Sequence, residues 1–307
     1  MLGMSSALSG CAVGLILIHA TAAVAEVQVE QMSFSGLCEA SAAVSLDSSH
    51  FVVASDESNE LRIYGVDGSG PVIAGNFTDD DKSDLEAATI IGDRIYWISS
   101  HSFNSKGEDK PKRKRLFATE VVDGDNGSSL RAVGTPYGAL RDAVAAVAGF
   151  SNSEINIEGL AATPEGHLLI GFRNLKNGNA LIVPLENPSE VVASGESPKF
   201  GTVDPLDLGG RGIRSIEAVA GSYLIVAGRG ESDDFALFRW AGPHGAAPEP
   251  VEGINFEGLR PEALFTMADG AVWILSDDGA DDCDDEKTPE ADRSFRSLTV
   301  RGLGDPG

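Results

Sequence analysis

The sequence predicts an all-β protein, a β-propeller of five blades with about four strands each. Two observations predict this fold. A phrase that begins with Glu and continues with small residues recurs five times, and each copy precedes short β-branched or aromatic runs that turn residues separate. Repetition of a four-strand unit along a chain is typical of propellers. The recurring residues are Glu39, Glu86, Glu158, Glu217 and Glu262.

Each unit has the pattern of a hairpin followed by further strands. In the second unit, Glu86 opens the run of small residues, Gly92-Asp93 supplies a turn, and the large residues of Ile95–Ile98 favour a strand. A third run closes each unit, as at Arg115–Ala118. A weaker fourth segment, such as Leu130–Val133, precedes the next Glu. Small residues suit the innermost strand, because the blades of a propeller crowd around its axis.

The longest interval, between Glu86 and Glu158, determines the count of blades. It holds a basic loop and an Ala-rich stretch near Leu140–Val147 that predicts a helix, but no further Glu-Ala hairpin. We therefore expect five blades, with six as the alternative. The last unit ends at Val300, so we expect the alternating segment Val27–Glu30 to supply its fourth strand. This N-terminal strand would close the ring and remove an open sheet edge.

The first residues have the features of a secretory signal peptide. Ala12–Ala25 is almost wholly apolar or small and ends in Ala23-Val24-Ala25, a cleavage pattern. The run is too short to span a bilayer as a mature helix. We therefore expect a signal peptide at 1–25, a single propeller domain at 26–307, and an exported protein of the periplasm or the extracellular space without a membrane span.

The charge of the chain excludes one class of partner. The sequence has 23 Lys and Arg against 47 Asp and Glu, a formal net charge of −24. Nucleic-acid binding needs a basic face, so we expect no nucleic-acid partner. The sequence also lacks the short motifs of nucleophilic, phosphate-loop and zinc sites, and no catalytic residue is assigned. We expect a monomer.

Two cysteines remain once the signal peptide is removed, Cys38 and Cys283. Export to an oxidising compartment predicts a disulfide between them. They lie near opposite ends of the mature chain, so the bridge would hold the two ends of the ring together. The alternative is a pair of small buried thiols.

The repeat predicts a ring of charged residues at one mouth of the propeller channel. In an antiparallel hairpin, the start of the first strand and the end of the second lie at the same rim. Each recurring Glu should therefore face the residue that ends its partner strand. The predicted pairs are Glu39 with Asp56, Glu86 with His101, Glu158 with Arg173, Glu217 with Arg229, and Glu262 with Asp277.

Convergent carboxylates suit a hard cation such as Ca²⁺, which takes about six to eight oxygen ligands. The mixed charges also suit a small polar ligand. The candidate metal ligands are Asp84, Glu86, Glu158, Glu217 and Glu262, and the candidates for a polar ligand or an anion are Glu39, Glu86, His101, Glu158, Arg173, Glu217, Arg229 and Glu262. The alternative is structural, with Glu158–Arg173 and Glu217–Arg229 as ion pairs between loops.

Two charged loops lie beside the predicted rim. The acidic loop of residues 277–286 offers carboxylates to Ca²⁺, but it lacks the spacing of a helix-loop-helix calcium site. The basic run of residues 106–115 offers cations to an anion beside His101. For both loops, we favour a solvated surface loop over a binding site.

Several phrases resemble a bacterial exported family of unknown function (domain of unknown function 3616). They are Ser83–Thr89, Gly92–Ser102, Asn156–Ala161, Leu169–Asn174 and Arg260–Leu264, within a match over about Cys38–Val300. This resemblance implies a propeller-like fold and no assigned activity. The phrase Ile157–Ala161 is also similar to the phytase-like esterase propellers, which implies metal-dependent phosphoester hydrolysis as the alternative to a binding function. At Glu86 the chain has Glu-Ala where that phrase has Glu-Gly.

Overall fold

The computed structural model is a five-bladed β-propeller, in which five antiparallel sheets of four strands surround one axis. It describes residues 27–58, 60–76, 83–124, 127–230, 232–279, 283 and 287–303. The five-bladed all-β prediction is confirmed, and the six-bladed alternative is wrong for this part of the chain. The predicted signal peptide, residues 1–25, lies outside the described residues.

Blades 1 and 2 are formed by consecutive strands, of which the first is innermost. Blade 1 consists of β2 (Ala42–Ser45), β3 (His50–Ala54), β4 (Glu60–Gly65) and β5 (Val72–Asn76), and blade 2 of β6 (Leu85–Ile91), β7 (Arg94–Ser99), β8 (Leu116–Gly124) and β9 (Gly127–Tyr137). The sequence of β7, Arg-Ile-Tyr-Trp-Ile-Ser, shows why these segments form strands. Its β-branched and aromatic residues are buried on both faces between neighbouring strands and blades.

Blades 3 and 4 follow the same order. Blade 3 consists of β10 (Ile157–Ala162), β11 (Leu168–Phe172), β12 (Ala180–Leu185) and β13 (Asp204–Leu206), and blade 4 of β14 (Gly212–Val219), β15 (Ser222–Gly228), β16 (Phe235–Trp240) and β17 (Glu249–Pro250). The predicted Ala-rich helix is α1 (Leu140–Ala148), which ends at Gly149 with a left-handed φ of 71°. A short helix, α2 (Pro188–Ser194), follows blade 3's third strand. No helix in the described ranges has the length and apolar character needed to cross a bilayer.

Blade 5 joins the two ends of the chain. Its strands β18 (Pro261–Thr266), β19 (Val272–Ser276) and β20 (Ser294–Arg301) are completed by the N-terminal strand β1 (Gln28–Ser35). Strand β1 runs antiparallel to β20, with Gln28 opposite Arg301 and Phe34 opposite Phe295. The predicted closure of the ring by an N-terminal strand is therefore confirmed.

The apolar core lies between successive blades as well as within them. At the junction of blades 5 and 1, the ring of Phe34 stacks on Phe295 and meets Phe51 edge to face, each with centroids 5.3 Å apart. The innermost strand of each blade contacts the innermost strand of the next around the whole ring. Because each blade buries side chains against two neighbours, the rims of adjacent blades are held at fixed distances from one another.

The disulfide Cys38–Cys283 is present, with the two Cα atoms 5.5 Å apart, and this prediction is confirmed. It joins the segment that enters blade 1 to the loop that follows β19. Near it, the Asp278 amide donates to the Cys38 carbonyl at 3.1 Å, and Glu39 forms an isolated antiparallel bridge with Asp277. Covalent and backbone bonds therefore hold the rims of blades 5 and 1 together.

Candidate functional site

A β-bulge interrupts the innermost hairpin in four of the five blades. The bulged residues are Glu86, Glu158, Arg214 and Glu262 in blades 2, 3, 4 and 5. A bulged residue is left out of the ladder, which turns its side chain away from the usual alternation. In blade 1, Ser41 occupies the corresponding position, directly before the Ala42–Ala54 pair. We call these five positions the bulge ring.

The charged members of the bulge ring line one cavity of about 500 Å³, which we call the mouth cavity. Other charged side chains from the rims of the blades complete its wall. The carboxylates of the wall are Asp56, Asp84, Glu86, Glu158, Asp233, Glu262 and Asp277, and its arginines are Arg113, Arg173, Arg214 and Arg260. The predicted convergence of charged residues at one mouth therefore corresponds to a real cavity.

One side of the mouth cavity, which we call the paired half, consists of Glu158, Glu262, Arg173 and Arg214. Arg214 contacts Glu262 Oε1 through Nη2, and its Nη1 lies 3.2 Å from Glu158 Oε2. Arg173 Nη1 donates to Glu158 Oε1 at 3.0 Å, so the predicted Glu158–Arg173 pair is present. The side-chain amide of Asn156 donates through Nδ2 to the same oxygen at 3.0 Å. In this half, buried carboxylates are balanced by guanidinium groups.

The other side, which we call the acidic half, consists of Asp56, Asp84 and Glu86. One carboxylate oxygen from each of the three lies within 4.8 Å of the others. Asp84 is only 5% exposed and binds Arg113 Nη2 at 2.8 Å, and it also accepts a hydrogen bond from the Ser100 hydroxyl. Asp56 Oδ1 is buried and has no hydrogen-bond partner among the described residues.

The acidic half cannot hold three negative charges without cost. Burial raises the pKa of the Asp56 carboxyl well above its ordinary value, and repulsion from Glu39 and Asp277 raises it further. Burial also raises the pKa of Glu86 well above its ordinary value, with added repulsion from Asp84 and Glu158. Both shifts have the same cause, because ionisation here adds a charge to a desolvated, already negative site. A bound cation removes that cost.

The predicted site residues fall into two groups. Glu86, Asp84, Glu158, Arg173 and Glu262 line the mouth cavity, as do the rim residues Asp56 and Asp277 that the sequence paired with Glu39 and Glu262. Glu39 is opposite Asp277 at the blade 5–blade 1 junction and close enough to raise the pKa of Asp56. His101, Glu217 and Arg229 do not line this cavity.

The predicted Glu217–Arg229 pair is wrong. Glu217 lies three residues beyond the bulge, opposite Leu224, and its Oε1 accepts a hydrogen bond from the Thr266 amide at 3.1 Å. It therefore connects blade 4 to blade 5 inside the ring, and burial raises its pKa to about 8. Arg229 is exposed and pairs with Asp234 at 3.2 Å. The reason is register, because the bulge of blade 4 is at Arg214.

The predicted Glu86–His101 pair is also wrong. Glu86 bulges out between the Leu85–Ser99 and Ala87–Ile98 pairs, whereas His101 lies two residues beyond the end of β7. The Ser100 hydroxyl donates to Asp84. His101 is fully buried, and its backbone amide donates to the Arg113 carbonyl at 2.9 Å. Burial is the largest cause that lowers its pKa, to about 3, so the imidazole is neutral.

Sequence reasoning missed Arg214 and Arg113, and it did not count Asp56 among the metal ligands. A signal for Arg214 exists. Ile213-Arg214-Ser215-Ile216 has the same pattern of apolar and small residues as Ile157-Glu158-Gly159-Leu160, with Arg in the place of Glu. Arg113 lies in the basic loop that we expected to be solvated, and its distance from Glu86 along the chain gives no comparable signal.

Comparisons with known proteins support the fold. No family model and no curated protein matches the chain. Among solved structures, it is similar to an oxidoreductase described as a glucose dehydrogenase from Thermus thermophilus, with 15% identity, 90% of this chain and 100% of that chain covered, and a TM-score of 0.51. It is also similar to the PQQ-bound aldose sugar dehydrogenase of Streptomyces coelicolor, with 14% identity, 90% and 99% covered, and a TM-score of 0.50. At this identity the likeness extends to the fold alone.

Proposed function

We propose that this propeller binds one divalent cation of the calcium type through Asp56, Asp84 and Glu86. The observation that carries the proposal is the approach of one oxygen from each carboxylate to within 4.8 Å of the others. Two oxygens that share one Ca²⁺ ion lie at most about 5 Å apart, since each is about 2.3–2.6 Å from the ion. The three carboxylates are therefore spaced to act on the same ion.

Two further features support a cation in the acidic half. Asp56 Oδ1 is a buried acceptor without a hydrogen-bond partner in the described part of the chain, and such an atom carries a desolvation penalty that an ion offsets. Arg113 supplies one positive charge to three carboxylates that face one another. A divalent ion would complete this charge balance.

The rest of the mouth cavity leaves room for a small polar ligand beside the ion. Its wall combines arginines with carboxylates, so a ligand that carries hydroxyl or charged groups finds both donors and acceptors there. We propose that the protein acts as a monomer in the periplasm or outside the cell. The disulfide Cys38–Cys283 supports export, because such bonds persist in oxidising compartments.

Thermal unfolding tests the cation site. We expect the metal-free protein to melt at a higher temperature in Ca²⁺ than in chelator, because an ion bound only by the native state adds about 2.7 kcal/mol at a hundredfold excess over its dissociation constant. Glu86→Gln keeps the size of the side chain, removes its charge, and should lose most of this increment. Glu217→Gln is the matched control, because it alters a partly buried Glu outside the mouth cavity and should keep the increment.

A wild-type melting temperature that does not change with Ca²⁺, Mg²⁺ or Mn²⁺ would contradict the proposal. Glu158→Gln separates the cation site from the ion pairs. We expect it to lower the melting temperature by the same amount with and without Ca²⁺, since Arg173 and Arg214 already balance the charge of Glu158.

A second function, metal-assisted phosphoester hydrolysis, is favoured by the presence of arginines and the acidic half in one cavity. The cation would polarise a phosphoryl oxygen, and Arg173 would hold another. A panel of phosphomonoesters and phosphodiesters, assayed with Ca²⁺ and with chelator, tests this function. We expect activity to require the ion and to be lost in both Glu86→Gln and Arg173→Gln. Cation binding without turnover of any ester would leave the binding function alone.

A further inference from the structure

The position of Arg214 in the bulge ring is the starting point. Blades 3 and 5 flank blade 4, so their bulged residues, Glu158 and Glu262, converge from both sides on the bulged residue of blade 4. That residue is Arg214, which is 6% exposed. Its guanidinium contacts a carboxylate oxygen of each neighbour. A positive charge therefore already occupies the place where the two carboxylates meet.

We infer that the mouth cavity contains two cation seats, and that the guanidinium of Arg214 permanently fills the second. The first seat is the acidic half, and in this respect the inference rests on the proposed function. The second seat consists of Glu158 and Glu262. On this inference, wild-type protein takes a divalent ion only at the first seat, because the second is filled by a side chain that cannot dissociate.

The carboxylates of the second seat have the properties of metal ligands. Glu158 is 3% exposed, and its Oε1 is held by Arg173 and Asn156. Its Oε2 has no hydrogen-bond partner among the described residues and faces Arg214 at 3.2 Å, an ion pair without hydrogen-bond geometry. A hard divalent cation accepts such an oxygen without any demand on a donor angle.

Removal of the guanidinium would leave the buried Glu158 and the partly buried Glu262 with Arg173 as the adjacent counter-charge. A buried charge that has lost its partner is costly, so either protons or a cation must replace it. Calcium binds carboxylate oxygens, and Glu158 and Glu262 each direct one such oxygen at the guanidinium of Arg214. The vacated seat should therefore take up an ion.

The test counts bound ions by equilibrium dialysis against radioactive Ca²⁺, with metal-free wild type, Arg214→Gln and Arg214→Lys. Arg214→Gln should bind one more Ca²⁺ per chain than wild type. Arg214→Lys keeps a cation in the seat and should bind the same number as wild type. The double variant Arg214→Gln/Glu158→Gln lacks a ligand of the second seat, and its count should return to that of wild type.

The wild-type count and the difference between variants report on separate statements. A wild-type count of zero overturns the proposed first seat. Equal counts for wild type and Arg214→Gln overturn the second seat, whatever the wild-type value. If Arg214→Gln is unfolded without metal, circular dichroism supplies the readout, because saturating Ca²⁺ should then restore the native spectrum. A variant that stays unfolded in saturating Ca²⁺ also overturns the inference.

Discussion

The two halves of the mouth are formed by the same kind of hairpin but balance their charges in different ways. In the paired half, Glu158 and Glu262 meet guanidinium groups of the chain itself. In the acidic half, the carboxylates of Asp56, Asp84 and Glu86 converge, and Arg113 is the arginine that pairs there. The charges of the first half are balanced by the chain itself, whereas we propose that the second half takes a cation.

The difference between the halves depends on two positions of the bulge ring. Blade 4 carries Arg214 and thereby neutralises the blades on both sides of it. Blade 1 carries Ser41, whose hydroxyl donates to the Leu85 carbonyl at 2.6 Å and connects blade 1 to blade 2 without adding charge. These two positions therefore contribute to the different charge balance of the two halves.

The halves also differ in what holds them in place. Ion pairs across blades hold the paired half. The acidic half adjoins Glu39 and Asp277, whose carboxylates repel Asp56, and the disulfide and backbone bonds near Cys38 keep these segments together. Like charges at close range repel one another, and the disulfide opposes the separation that this repulsion favours.

The largest expected effect comes from removal of this restraint. Cys38→Ser combined with Cys283→Ser should lower the free energy of unfolding by roughly 5 kcal/mol, the chain-entropy contribution of so long a loop. We also expect Ca²⁺ to bind more weakly, because Glu39 and Asp277 would move and reduce the negative potential near Asp56. Urea unfolding and calcium titration measure the two effects. Unchanged calcium affinity would show that the acidic half does not depend on the disulfide.

The next effect compares the buried Glu158 with the partly buried Glu217. Glu158 has arginine partners, whereas Glu217 has a backbone amide and a pKa raised to about 8 by burial. Between about pH 4.5 and pH 8, Glu217 keeps its proton in the folded state and loses it in the unfolded state. The free energy of unfolding therefore falls as the pH rises through this range. The cost in folding free energy approaches roughly 5 kcal/mol above pH 8.

Glu217→Gln should remove this part of the pH dependence, since Gln keeps an oxygen for the Thr266 amide and does not titrate. The variant should gain stability relative to wild type from pH 5 to pH 8.5, as urea unfolding at each pH would measure. Parallel curves for the two proteins would mean that Glu217 is ionised in the folded state. The paired half supplies the control, because Glu158→Gln removes an anion that two guanidinium groups contact and should lower stability where Glu217→Gln raises it.

The fold was accessible from the sequence because every blade repeats a local pattern of small residues, turn and large apolar run. Glu86, Glu158 and Glu262 were placed at the mouth correctly, since each directly precedes the small residues that pair with the second strand. Glu217 was misplaced because blade 4 carries Arg214-Ser215 at its bulge and a Glu-Ala phrase three residues later. Repetition alone does not reveal which of two similar phrases lies at a bulge.

Side-chain contacts between blades could not be predicted from the sequence, for a different reason. Arg214 and Glu262 are distant along the chain, and their pairing depends on the angle at which blades 4 and 5 pack. The contact of Arg113 with Asp84 likewise depends on the path of a loop. Neither geometry follows from periodicity or composition.

The smallest expected effect concerns Arg113, which contributes a positive charge to the acidic half. Arg113 is partly exposed and pairs with Asp84 at 2.8 Å. Arg113→Gln should lower the stability of the metal-free protein by about 1–3 kcal/mol, because Asp84 is buried and loses its cationic partner. It should also raise calcium affinity about fivefold, because the ion no longer competes with a guanidinium for the Asp84 carboxylate. Melting curves in chelator and calorimetric titration with Ca²⁺ measure these changes.

Arg173→Gln, in the paired half, is the matched control and should lower stability while calcium affinity stays within about twofold. Weaker calcium binding by Arg113→Gln would mean that the arginine supports the ion site, and the contrast between an acidic half and a paired half would then be wrong.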